Sequence, residues 1–112
     1  MMEKKLYLQP GRLVFDALLD IMELQKGVET LNDPIGGKLH FVTYLYGEDW
    51  EIRFSITDID RARCAVNIEI AAKDRNGDMD GYSEIMARRE FALLDSILLI
   101  GTSHEISLRE GG

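Results

Sequence analysis

A chain of 112 residues with 46% hydrophobic and 29% charged content is sized for one globular domain with a modest core. Thirteen basic against 20 acidic side chains give a net charge of −7, a field that argues against binding nucleic acid or anionic lipid. The single cysteine, Cys64, excludes an internal disulfide and suits a reducing compartment.

Met1 to Lys5 carries basic residues without a following apolar stretch, so no signal peptide is expected. The longest apolar run, Ile97 to Ile100, is too short to cross a bilayer, and a cytoplasmic protein is expected. Leu6 to Leu8 fits a short first strand. Pro10 has the backbone angle of a helix start, and a helix is expected from Gly11 to Lys26. Its polar residues Arg12, Asp16, Asp20 and Glu23 form one narrow stripe, which predicts burial around most of the circumference. Gly27 is the expected stop. Val28 to Asn32 is a second strand, and residues 33–37 read as a turn. Lys38 to Tyr46 is a third strand.

From Trp50 to Ala71 apolar and polar residues alternate, the pattern of strands buried on one face only. A tight turn at Gly47-Glu48 pairs Leu45 with Trp50, Phe41 with Phe54, and His40 with Ser55. For the next hairpin, turning near residues 60–62, two registers keep the faces matched. The one that sets Arg53 opposite Glu69 avoids facing two glutamates and is preferred. Cys64 falls on the buried face, as a small hydrophobe. Residues 73–81 form a polar loop. A second helix runs from about Ser83 to Ile100 and ends at Gly101. Residues 1–101 are therefore one domain, and residues 102–112 a flexible tail.

The elements follow in the order β-α-β-β-β-β-α. Two helices and a half-buried sheet each need an apolar partner, which predicts an α+β two-layer sandwich: an antiparallel sheet of four to five strands with both helices on one face. Over residues 5–100 this order resembles the small helix-grip and TATA-binding-protein-like domains, in which a curved sheet wraps a long C-terminal helix. The resemblance implies either an apolar ligand held between sheet and helix or a role in contacts alone.

Four groups of residues are candidate sites. His40, Val42 and Tyr44, with Tyr46 and Arg53, lie on the expected outward face; large side chains there point to a protein contact, including a homodimer. Phe15, Met22, Trp50, Met86 and Phe91 would line an apolar pocket between sheet and helices, although residues at such spacing are more often core. Asn76, Asp78 and Asp80, with Glu84, resemble half of a calcium loop that lacks the closing bidentate Glu. His40 beside Ser55 suggests a nucleophile pair, but a flat sheet face offers no oxyanion hole. The acidic residues along the helices read as a solvated stripe. No nucleotide, metal-protease or nucleophile-elbow motif is present. The expectation is a non-catalytic module without cofactor, binding itself or another protein, with apolar-ligand binding as the alternative.

Overall fold

The computed structural model describes residues 2–73 and 82–111, with side chains described for residues 3–73 and 82–99. Seven elements follow in order: β1 (Met2–Tyr7), α1 (Gly11–Leu24), β2 (Val28–Asp33), β3 (Lys38–Leu45), β4 (Glu48–Asp60), β5 (Arg63–Ala72) and α2 (Tyr82–Gly111). The strands form one antiparallel sheet in the order β1-β5-β4-β3-β2. Both helices pack on the same face, giving the expected two-layer α+β sandwich. A first strand that crosses over to lie beside the last one, with a long C-terminal helix across the sheet, is a helix-grip-like topology. No described helix is long and apolar enough to cross a membrane.

Period-two alternation decides which side chains enter the core. Leu39 and Phe41 of β3, Trp50, Ile52 and Phe54 of β4, and Cys64, Val66, Ile68 and Ile70 of β5 are buried against the helices. Val14, Phe15, Leu18 and Ile21 of α1 and Met86 and Leu94 of α2 cover them. Each large apolar side chain so buried contributes about 1.5–3 kcal/mol. The Trp50 indole N–H is satisfied by the Leu45 carbonyl at 3.0 Å. β1 is tied to α2 from the side: Tyr7 donates its hydroxyl to Asp95 at 2.8 Å, and Lys5 pairs with the same carboxylate.

The β4–β5 register is the expected one, with Arg53 opposite Glu69. The β3–β4 register is not. Thr43, rather than Leu45, faces Trp50, and His40 faces Arg53 rather than Ser55. The turn is Tyr46-Gly47, not Gly47-Glu48, and both residues have positive φ (52° and 82°). Such a mirror-type turn matches the right-handed twist of its strands. The strained Tyr46 backbone is supported by stacking of its ring on Tyr82, with centroids 5.3 Å apart. A shift of two residues leaves every side chain on its expected face.

The helices differ from expectation in extent and burial. α1 buries one side only, and Leu24 is 67% exposed, because α2 and the sheet approach it from one direction. Its end is shaped by Lys26 (φ 54°), not Gly27. Gly27 is required for space: a side chain there would press into the Phe41 ring. α2 continues through Gly101. A lone interior glycine costs a helix only about 1 kcal/mol, so it does not end one by itself. β1 starts earlier than Leu6, through its pairing with β5, and ends before Leu8.

Candidate functional site

A cleft of about 290 Å³ opens between the two layers, where α1 begins. Gly11, Arg12, Phe15 and Asp16 line it from α1, Pro34, Ile35 and Gly37 from the β2–β3 turn, and Ile56 and Asp58 from β4. The turn is fixed on both sides. The Gly36 amide donates to the Asp33 carboxylate at 2.9 Å, and the Ile56 amide donates to the Gly37 carbonyl at 2.6 Å. α1 has no side-chain cap. Instead the Asp58 carboxylate stands so near Gly11 that any side chain there would collide with it. That places a negative charge at the positive end of the helix. Phe15, Pro34, Ile35 and Ile56 give the cleft an apolar body, while Arg12, Asp16 and Asp58 give it a charged rim. The volume is at the lower edge of ligand pockets, about 300–1,000 Å³. An apolar floor under a charged rim is an arrangement that can seat a small molecule.

Of the five residues expected to line a pocket, only Phe15 reaches this cleft. Trp50, Met86 and Phe91 are buried in the core, and Met22 is partly buried against it. They fill the interlayer space themselves.

A polar cluster within the core contradicts the reading of the helical acids as a solvated stripe. Glu90 is 1% exposed. The Gln25 side-chain amide donates to Glu90 Oε2 at 2.8 Å, and the Thr43 hydroxyl donates to the Gln25 backbone carbonyl at 2.9 Å. The end of α1, the first third of α2 and β3 are thereby joined. Glu90 Oε1 and Gln25 Oε1 are buried without a hydrogen-bond partner among the described residues. Burial pushes the Glu90 carboxyl up to about 7, against the opposing pull of Gln25 and Arg89. The sequence does carry a signal here: Glu90 lies four residues from both Met86 and Leu94, on the apolar stripe of α2.

The outer sheet face is uncovered by any described element. His40, Val42, Tyr44 and Arg53 lie on it as expected, whereas Tyr46 is drawn into the turn. Tyr44 is 69% exposed, and Val42 pairs with Val28, itself 68% exposed. Beside this apolar edge lies a shallow hollow of about 240 Å³ lined by Lys38, His40, Arg53, Ser55, Asn67 and Glu69. Arg53 donates to Glu51 at 2.8 Å and sits 3.6 Å from Glu69. Partial burial and the neighbouring Arg53 hold the His40 imidazole below its ordinary value. Because His40 faces Arg53 and not Ser55, the nucleophile pair loses the cross-strand contact on which it rested. Asn76, Asp78 and Asp80 of the calcium reading lie outside the described residues. Glu84 is ion-paired with Arg88 one turn along α2.

No protein-family model matches the chain, and no curated protein matches it. Solved structures give distant likenesses. The di-domain aromatase/cyclase StfQ of the steffimycin biosynthetic pathway is 11% identical with a TM-score of 0.42, over 86% of this chain and 42% of that one. The chain thus spans less than half the length of StfQ. The Zhui aromatase/cyclase from Streptomyces sp. R1128 is 13% identical, with a TM-score of 0.41, over 100% and 96% of the two chains. Ara h 8.0201 is 12% identical, with a TM-score of 0.41, over 88% and 96%. Likenesses at this level do not carry function from those proteins to this one.

Proposed function

We propose that this domain is a non-catalytic binding module for a small, largely apolar ligand, seated in the cleft between the start of α1, the β2–β3 turn and β4. The observation that supports this most is an apolar hollow of about 290 Å³ opening between the layers and rimmed by Arg12, Asp16 and Asp58. A ligand would set its apolar body on Phe15 and Ile56 and leave a polar group at the rim. Ile35, fully exposed at the mouth, would then be covered. Native mass spectrometry of the purified protein, with titration of the apolar dye anilinonaphthalene sulfonate, tests the reading. A saturable complex in the wild type that weakens in Ile35→Asp is expected. No bound mass and no saturable dye signal would overturn it. Ile35 supports no core contact, so its substitution leaves the fold intact.

A second reading, a homodimer or protein contact through the outer sheet face, is favoured by exposed Val28 and Tyr44 with half-buried Val42 between them. Light scattering over a concentration series is expected to show a dimer that Tyr44→Arg converts to a folded monomer. A wild-type monomer at every concentration excludes the dimer.

A further inference from the structure

We propose that the hollow on the outer sheet face is a binding site for a small oxyanion, a carboxylate or phosphate group. The register builds it. Lys38 of β3 faces Ser55 of β4, Ser55 faces Asn67 of β5, and Asn67 faces Lys4 of β1. These four share the outer face, since the alternate β1 residues Lys5 and Tyr7 turn inward to Asp95. One row of hydrogen-bond donors therefore crosses four strands, over three gaps of about 4.8 Å each. His40 and Arg53 form the row beside it.

The acids in reach are already engaged. Glu51 accepts from Arg53, Glu69 lies 3.6 Å from the same guanidinium, and Asp33, opposite Lys38, accepts from the Gly36 amide. Lys38, Ser55 and Asn67 make no side-chain hydrogen bond with any described residue. An ammonium, a hydroxyl and an amide converging without partners on one hollow match the needs of an oxyanion, which takes several donors at once. At −7 the protein as a whole repels polyanions, so a single small group fits this site better than a nucleic acid.

His40 lines the hollow and supplies the readout. Arg53 and Lys38 face it and disfavour its charged form, while Glu51 and Glu69 favour it. A bound anion adds to the second group, so it raises the imidazole pKa and binds more tightly as pH falls through it. The test is a nuclear magnetic resonance titration of the full chain with inorganic phosphate and, separately, succinate, against sodium chloride at matched ionic strength. Saturable shifts are expected at residues 38, 40, 55 and 67, with an upward shift of the His40 pKa. Lys38→Gln weakens binding about tenfold, as removal of one charged donor should, and Lys26→Gln, distant from this face, leaves it unchanged. Saturation by phosphate alone assigns the site to phosphate, and by succinate alone to carboxylate. Shifts no larger than those with chloride, or equal effects of the two substitutions, would overturn the proposal.

Discussion

The two faces of one sheet show how differently the same strands can be used. β4 sends Trp50, Ile52 and Phe54 inward to full burial, and Glu51, Arg53 and Ser55 outward, where Arg53 pairs with Glu51. Inside, dispersion and the hydrophobic effect act on close-packed rings and branched chains, and a missing group leaves a void. Outside, exposed charges interact through solvent and contribute little to stability. The inner face holds the domain together, and the outer face is free to change without unfolding it. The interlayer cleft lies where the inner packing runs out, at the first turn of α1.

The contrast can be broken most strongly from inside. Trp50→Ala is expected to destabilise the domain by about 3–5 kcal/mol, since it removes the largest fully buried ring and its bond to Leu45. Chemical denaturation measures it, and a loss below about 1 kcal/mol would mean that the inner face is not close-packed.

Glu90 is the exception on the buried side, and its expected effect has the opposite sign. Its carboxyl is raised from 4.5 to about 7 in the folded state, so it favours folding fully below the unfolded value. That contribution is lost as pH rises through about 7, a change of roughly 3 kcal/mol. Glu90→Gln should flatten this part of the stability profile and make the variant the more stable protein above neutrality. Parallel profiles for the two proteins would show that Glu90 ionises as freely in the fold as outside it.

The smallest effect belongs to the outer face. Arg53→Gln breaks contacts to Glu51 and Glu69. It should cost no more than about 0.5 kcal/mol, falling further in high salt. A loss comparable to that of Trp50→Ala would erase the distinction between the faces.

Much of this was legible in the chain. Alternation through Trp50 to Ala71 assigned inner and outer residues correctly, and like-charge avoidance chose the Arg53–Glu69 register. The cleft was legible only through Phe15, because Ile35 and Ile56 reach it by way of a turn and a hairpin whose meeting point no local pattern encodes. The outer hollow was missed for a related reason. Lys38, Ser55, Asn67 and Lys4 are scattered along the chain and become neighbours only through three strand pairings.

Composition and periodicity by themselves determined the kinds of elements, their order and which face of each is apolar, because these follow from local backbone geometry and the period of burial. Tertiary structure decided the rest. It placed β1 beside β5 across more than half the chain and exchanged the expected turn for a twisted one at Tyr46-Gly47. It also buried Glu90 by laying α2 against the end of α1. Each of these depends on the free energy of contacts between distant segments, and that energy exists only once the segments have met.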